Sequence, residues 1–576
     1  MEKSASDQRN LSGQLPADLV FADFVLSPSR HRLLRNGQTV PLKPKVYELL
    51  CLLLECRERV LSRAEILDRL WPRQDILESS LTQAIYELRK ALGDPGWIES
   101  VPRHGYRFAG RVQSRSPGAD RAPSIAVLPF RLLGLAPDQD WLALALTDHL
   151  ITALAHQSDS TLAVRSLGAV LPLDQHPGKL TDKALLLGVD TIVEGSVTAA
   201  GDRHEVSLRV VRVDDQNILG ATTVQVAGKL GSEHLPDLRQ RLASWILACV
   251  GLAARPAEPR PEPTAAVQAL YYRAEACWHR FTFNAWRQAI EYLDRALELE
   301  PQHARALALR ANSWSAMAAL GGVPPREGFA RARADAERAL ALAPDRAWGH
   351  ESMAAYHLFH DWSPERARYC AERAIAADPQ SVHGHHLLAL ALSAAGQADA
   401  ALAELDLARQ LDPASLLLHN DLGALLHYMG RAEASIPVFD AVLARDPAFA
   451  HAHLHKAMAL ADLGRAEAGI EAATSACRLA GRDPGESGVL ARLYRLAGHD
   501  ADYRQQLGRV KHAVETRQFD PMEMVWATLN AGAPEQTLEW LARAVAWRSR
   551  DVLLFHHLPA LAALRKHPRA VALLPF

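Results

Sequence analysis

The six cysteines of this 576-residue chain (Cys51, Cys56, Cys249, Cys277, Cys370 and Cys477) include no C-x-x-C pair. That scatter excludes a disulfide framework and suits buried or free thiols in a reducing compartment. The opening MEKSASDQRN has no apolar stretch of the kind a secretory signal needs. The longest apolar candidate, Trp245–Ala254, is about half of the roughly 20 residues that span a bilayer. No Walker A run, G-x-G-x-x-G, H-E-x-x-H or G-x-S-x-G occurs, so an enzymatic reading has no foothold and no cofactor is expected. Strong charge is missing too: 64 Lys and Arg face 66 Asp and Glu, a net of −2. Any field for nucleic acid must therefore be local. What remains is a chain expected in the cytoplasm, away from membranes and long enough for three or more domains.

The most informative stretch is Glu78–Arg107. On a helix Leu81, Ile85, Leu88 and Leu92 share a narrow arc that must face a core. Opposite lie Ser79, Gln83, Tyr86 and Lys90, with Ser80 and Glu87 on the flank. Such a polar face is what a helix in a DNA major groove needs, and also what an ordinary solvated helix shows. The surroundings separate the two readings. Short apolar runs from Val20 to Leu42, with Asn36-Gly37 as a hairpin turn, predict a small antiparallel sheet. Pro44 opens a buried helix through Tyr47, Leu50, Leu53 and Leu54. Ser62-Arg63-Ala64-Glu65 reads as a capping box opening a second helix that Pro72 stops. Gly93-Asp94-Pro95 ends the third helix, and Ile98–Val101 and Tyr106–Val112 read as two strands around Pro102–Gly105. Between Val20 and Val112 there are 15 Lys and Arg against 11 Asp and Glu, a local net of +4.

Sheet, three helices and hairpin, in that order, resemble the OmpR/PhoB-type winged-helix DNA-binding domain over residues 19–112. The motifs are V-L-S-R-x-E-I-L at 60–67, L-W-P at 70–72, L-T-x-A-I-x-x-L-R-K-A-L-G-D at 81–94 and V-P-R-x-G-Y-R-F at 101–108. The V-P-R wing is most similar to the CadC/ToxR-like branch. Lys43 departs from the pattern, where such domains often carry a hydroxyl cap. The resemblance implies a major-groove face of Ser79, Ser80, Gln83, Tyr86, Glu87 and Lys90, with Arg89 and Lys90 reaching phosphates. It also implies that Arg103, His104 and Tyr106 of the wing meet the minor groove or backbone, and that the loop 72–77 touches RNA polymerase. Independently, Gln83 suits adenine and Glu87 suits cytosine N4. The ring of Tyr106 is equally suited to packing beneath the wing. The residues before this domain are too few for a receiver domain, so it is expected to be a phosphorelay-type effector domain without one.

The fold class expected is multidomain: winged helix-turn-helix (α+β), then an α/β sandwich domain, then an all-α TPR solenoid. Residues 1–18 read as a disordered tail and 113–123 as a linker. Residues 124–253 carry SIAVLPF, an amphipathic helix at Trp141–His156 and strands at 162–165, 191–198, 205–213 and 221–226, closed by a helix at Leu235–Val250. Their signatures resemble the TolB-amino-terminal-like domain, which implies no catalytic residue and leaves a ligand pocket or a spacer open. The proline-rich 254–264 reads as an extended linker. From 265 to 576 the chain repeats: Gly396, Gly430, Gly464, Gly498 and Gly532 stand 34 residues apart, as do Pro379, Pro413 and Pro447. That period is the tetratricopeptide signature, with about eight repeats and a capping helix at Leu558–Phe576. His451 and His455 stand at i, i+4, but His385, His419 and His453 recur at the repeat period, which duplication explains without a metal. The reading is a one-component DNA-binding transcriptional regulator. It reads double-stranded promoter DNA, with a dimer on DNA allowed, and receives a protein or small-molecule signal on the concave TPR face. The alternative is a TPR scaffold whose winged helix makes protein contacts.

Overall fold

The computed structural model describes residues 18–574 apart from 23, 28–31, 36–37, 41, 58, 71–77, 94, 103, 111, 116–122, 158–161, 174–178, 229, 255–262 and 517–518. Two compact units emerge, residues 1–122 and 123–576. The first opens with an antiparallel meander of β1 (Asp18–Phe21), β2 (Phe24–Ser27), β3 (Arg32–Arg35) and β4 (Gln38–Val40). Arg35 stands opposite Gln38, the register of a two-residue connection, although Asn36-Gly37 lie outside the described residues. Three helices follow, α1 (Pro44–Glu55), α2 (Arg63–Leu70) and α3 (Glu78–Leu92), then the hairpin β5 (Ile98–Val101) and β6 (Gly105–Phe108). A last strand, β7 (Gln113–Arg115), pairs with β1, placing Leu19 opposite Ser114. This corrects two expectations: Asp18 and residues 113–115 belong to the sheet, not to a tail and a linker. The open side of β1 presents unpaired backbone groups, and a returning strand satisfies them.

The local chemistry explains the helix starts. Pro44 occupies the first turn of α1 behind an extended Lys43, which supplies no side-chain cap. Lys45 Nζ instead donates to the Leu70 carbonyl at the end of α2, 2.7 Å away. The Ser62 hydroxyl accepts from the Glu65 amide at 3.1 Å, the first half of the capping box. The second half gives way to an ion pair, because the Glu65 carboxylate lies 2.5 Å from Arg59 and 3.6 Å from Arg69. A charged guanidinium binds a carboxylate more strongly than a neutral amide does.

Leu81, Ile85, Leu88 and Leu92 are each at most 2% exposed, packed towards α1 and α2. At about 1.5–3 kcal/mol per buried side chain, this arc fixes which way α3 faces. Phe21, Phe24, Trp97 and Phe108 form an aromatic cluster with centroids 5.0–5.8 Å apart, joining the meander to the base of the hairpin.

In the second unit come β8 (Ser124–Val127), β9 (Arg131–Leu133), α4 (Trp141–Gln157), β10 (Ala163–Val164), α5 (Leu167–Val170) and α6 (Leu180–Leu187). Three ten-residue strands follow, β11 (Thr191–Ala200), β12 (Arg203–Arg212) and β13 (Ile218–Ala227), and then α7 (Leu235–Cys249). Sheet order is β10-β8-β11-β12-β13, with β9 also on β11. At the turn Gly201-Asp202 β11 and β12 extend two residues beyond their expected bounds, because the turn keeps them in register there, while β12 stops at Arg212. The helix α4 is not amphipathic in context: 12 of its 17 residues are buried. Its second side is covered by the first helices of the repeat array.

Among the described residues that array comprises eight helix pairs. They are α8 (Ala265–Trp278) with α9 (Phe283–Leu299), α10 (Ala304–Ala319) with α11 (Pro325–Leu342), α12 (Ala347–Phe359) with α13 (Pro364–Ala377), and α14 (Val382–Ala394) with α15 (Ala398–Leu411). There follow α16 (Leu416–Tyr428) with α17 (Ala432–Arg445), α18 (Ala450–Asp462) with α19 (Ala466–Leu479), α20 (Gly488–Ala497) with α21 (Asp500–Thr516), and α22 (Met522–Thr528) with α23 (Pro534–Trp547). A Cβ on Gly423 would stand 2.5 Å from the Phe439 ring, so the paired helices approach closely there. In place of one capping helix, two short ones, α24 (Ala562–Arg565) and α25 (Pro568–Leu573), end the described chain. Pro559 and Pro568 open separate turns instead of continuing one helix.

A single apolar core runs from Ile125 and Leu154 through Tyr271, Leu293 and Leu307. Within it, Arg305 on α10 meets the buried Asp148 of α4 at 2.8 Å, and the Tyr272 hydroxyl donates to the same carboxylate at 3.0 Å. Although burial alone raises a carboxyl's pKa, Arg305 more than offsets it and holds Asp148 below the usual range. Asp148 therefore stabilises the fold above the ordinary carboxylate pKa, and this contribution is lost as pH falls through its depressed folded value.

Two outcomes follow. Gly105 has φ +131, and a Cβ there would lie 1.8 Å from the Leu61 carbonyl oxygen. Gly105→Ala should cost roughly 2–4 kcal/mol, read as a lower midpoint in chemical denaturation. Arg305→Ala strands a buried carboxylate and should cost about 3–5 kcal/mol at neutral pH. Asp148→Asn in the same background should recover part of that loss, and equal stability of Arg305→Ala and wild type would refute the assignment.

Candidate nucleic-acid interface

Burial of the leucine arc turns the opposite face of α3 outward. Gln83 and Lys90 are exposed, Tyr86 is 61% exposed and Ser80 is half-buried. Ser79 lies within α3, but its side chain is outside the described residues. Glu87 sits in a chain of contacts. Lys43 Nζ lies 2.8 Å from Glu87 Oε1, and Gln83 Nε2 donates to the same oxygen at 3.2 Å. Lys43, and after it the Gln83 amide, holds the Glu87 carboxyl below the usual carboxylate range. The lysine that fails to cap α1 thus ties the start of that helix to the exposed face of α3. Such an exposed pair adds little to stability, and its effect is to orient. With Glu87 acceptor-only, Gln83 must turn its amide nitrogen towards it.

Arg89 behaves differently from its neighbour. Its Nε donates to the Ile98 carbonyl at 3.1 Å and Nη2 to Ser100 Oγ at 2.9 Å, with a second Nη2 bond to Ile98. The side chain expected to reach phosphate is a brace between α3 and the hairpin. Neither its charge nor its position in the sequence distinguishes it from Lys90; only the proximity of β5 does.

The hairpin carries the remaining candidates. Glu99 stands opposite Arg107 in register, and the two side chains pair at 2.6 Å. Leu61 forms a third rung: its amide donates to the Tyr106 carbonyl and accepts in return through its own carbonyl, both at 2.9 Å. Tyr106 is 6% exposed, and the Arg63 guanidinium lies 5.8 Å from its ring centre. Of the two roles open to Tyr106, the structure supports packing beneath the wing and removes the ring from the contact set, because the Leu61 bridge pulls it inward. His104 is exposed at the tip, its amide bonded to the Val101 carbonyl and its Nδ1 2.9 Å from the Pro102 carbonyl. Since a carbonyl only accepts, Nδ1 is the donor in this contact. Arg103 and the 72–77 loop lie outside the described residues.

The repeat histidines have a structural explanation. His350, His385, His419 and His453 each point a ring nitrogen at the carbonyl of the proline six residues earlier, at 2.9–3.3 Å. They fasten the inter-repeat turns. Others link successive first helices: His386 meets Asp421 at 2.7 Å, His455 meets Asn420 at 3.2 Å and His427 meets Asp462 at 2.9 Å. Among the described residues no cluster of three or more His, Cys, Asp or Glu is arranged to hold a metal ion. No helix of the described residues is long and apolar enough to cross a membrane.

The first unit is thus a winged-helix DNA-binding domain of the OmpR/PhoB type, carried on a chain with an α/β layer and tetratricopeptide-like repeats. Comparison with known proteins agrees. Residues 37–108 match the family "Transcriptional regulatory protein, C terminal", and residues 120–245 match the second domain of HilA/YgeH-like transcriptional regulators. The transcriptional regulator HilA of Salmonella typhi is 25% identical over 336 residues, 56% of this chain and 58% of the relative. The chain thus spans little more than half the length of that relative. The transcriptional activator CadC of Escherichia coli is 36% identical over 91 residues, 15% of this chain and 18% of CadC. The solved DNA-binding domain of E. coli CadC is 31% identical and aligns over 17% of this chain and 97% of its own, with a TM-score of 0.17.

Removing the Arg89 brace is expected to act on stability before it acts on DNA. Arg89→Ala should lower the stability of residues 1–122 by about 1.5–3 kcal/mol, the range for bonds to a charged donor. Thermal unfolding of Arg89→Ala beside Lys90→Ala checks this, because Lys90→Ala should leave the midpoint unchanged.

Proposed function

We propose that this protein is a one-component transcriptional regulator of the cytoplasm, in which α3 and the wing read promoter DNA. The observation that carries the reading is the rigid polar face of Gln83, Tyr86, Glu87 and Lys90, turned outward by the buried leucine arc. The two matched regulator families, on adjacent stretches of one chain, support it. Gln83, steadied by Glu87 and Lys43, pairs with adenine in the major groove, while Lys90 and Arg103 take phosphates or the minor groove. The repeats receive a protein or small-molecule signal on their concave face, and the signal alters DNA affinity or dimerisation. The loop 72–77 is the segment for RNA polymerase. The scaffold alternative rests on acidic Glu87 in the recognition face and on the modest local charge of +4. Lys43 answers the charge of Glu87 and weakens the alternative. No enzymatic activity is assigned.

Binding fragments recovered by genome-wide mapping supply the DNA for a test. Lys90→Ala and Arg103→Ala should each weaken binding to all sequences alike and reduce the slope of log affinity against log salt by about 1. Gln83→Ala should instead relax discrimination at one base pair, by about 1–3 kcal/mol. Unchanged salt slopes in both charge variants would overturn the interface.

A further inference from the structure

The strand β13 ends its sheet. It is ten residues long and pairs only with β12. No backbone hydrogen bond reaches its other side from any described residue. Every other described strand with an open side has four residues or fewer. Long open edges are normally protected by charge, proline or a covering element, since they otherwise recruit another strand. Here the sequence is ILGATTVQVA, without a charge or a proline, whereas the neighbouring β12 carries Arg203, Glu205, Arg209 and Arg212. Among the described residues none pairs with this edge, and the outer face beside it is open: Ile218 is 54% exposed, and Ala221, Thr223, Gln225 and Ala227 are exposed as well.

We infer that β13 is the seam of a homodimer, pairing antiparallel with β13 of a second copy about a two-fold axis normal to the sheet. Such an axis sets each central residue against itself or a near neighbour in the same strand. A charged residue there would meet its own like, at a cost. The centre of β13 is Ala221, Thr222 and Thr223, small and neutral, so no like charges meet. The axis also keeps faces together. Val224 and Val226 are buried on the helix-covered side, and Thr223 and Gln225 lie on the polar side, so each face continues into its counterpart. The polar side is already satisfied within one copy: Ser207 and Thr223 hydroxyls lie 2.9 Å apart, Gln225 donates to Glu205 at 3.2 Å, and Arg209 donates to Glu194 at 2.6 Å. The assignment takes up the dimer of the regulator reading and gives it a surface.

Sedimentation of the full chain without DNA tests it. The wild type should show a concentration-dependent dimer. Thr223→Lys and Thr223→Glu should each weaken self-association at least about tenfold. An equimolar mixture of the two variants should restore the dimer, a result no misfolded variant can give. A monomeric wild type, as expected if the edge takes a strand from another protein, overturns the proposal. So does a dimer indifferent to both variants. The two readings separate cleanly: a dimer that binds no DNA sinks the regulator and leaves the seam, and a monomer that binds DNA does the reverse.

Discussion

The burial of Leu81, Ile85, Leu88 and Leu92 is the constraint on which the rest of the first unit depends. A helix has only two sides to offer, and once one is committed to the core the other is committed to solvent. Four nearly unexposed side chains make that commitment rigid. The wing is then positioned from α3 itself, through Arg89 to Ile98 and Ser100, and from the α1–α2 connection, through the Leu61–Tyr106 bridge. Helix α3 and the wing are thereby one piece. A protein that must place several side chains against base edges at once gains precision from such a brace, because each ordered contact costs less entropy when the frame is already set.

The second unit follows a different logic. Its α/β layer and its repeats are not separate beads, since one apolar core passes through both. The Asp148–Arg305 pair lies in that shared region, with Tyr272 completing the carboxylate's bonds. From there polar links pass along the first helices of the repeats, from Glu351–Ser381 to His386–Asp421, His427–Asp462 and Arg492–Asp462. These buried polar pairs are tolerated because each joins neighbouring repeats and satisfies both partners. At the far end Arg548 donates to the His360 carbonyl and Arg550 lies 5.3 Å from the Phe359 ring centre, so the turn after α23 folds back on the third repeat. A ligand engaging the repeats would act on a body that already includes α4 and the sheet.

Legibility from sequence varied with the range of the interaction. The three helices, the hairpin and the repeat period were readable because they rest on neighbours within a few residues: a proline at a helix start, a serine cap, an apolar arc, a spacing of 34 residues. The exposed faces of Gln83, Tyr86 and Lys90 were readable for the same reason. Arg89 and Tyr106 were not. Both carry chemistry suited to DNA, yet one is taken by Ile98 and Ser100 and the other drawn in by Leu61, contacts that no local pattern encodes. The half-made capping box at Ser62 is similar, since Glu65 answers Arg59 and not the helix amide. Lys43, which as a poor cap looked like a small defect, orients Glu87 across the fold.

Sequence by itself determined the order of the elements, the buried side of each helix and the residue types offered to DNA, because periodicity and capping are properties of adjacent residues. Tertiary structure alone decided which offered residues remain available. It joined β7 to β1, buried both sides of α4, merged the α/β layer with the repeats and left β13 without a second neighbour. Each of these depends on surfaces brought together from distant parts of the chain, and pairing at a distance leaves no mark in the residues on either side.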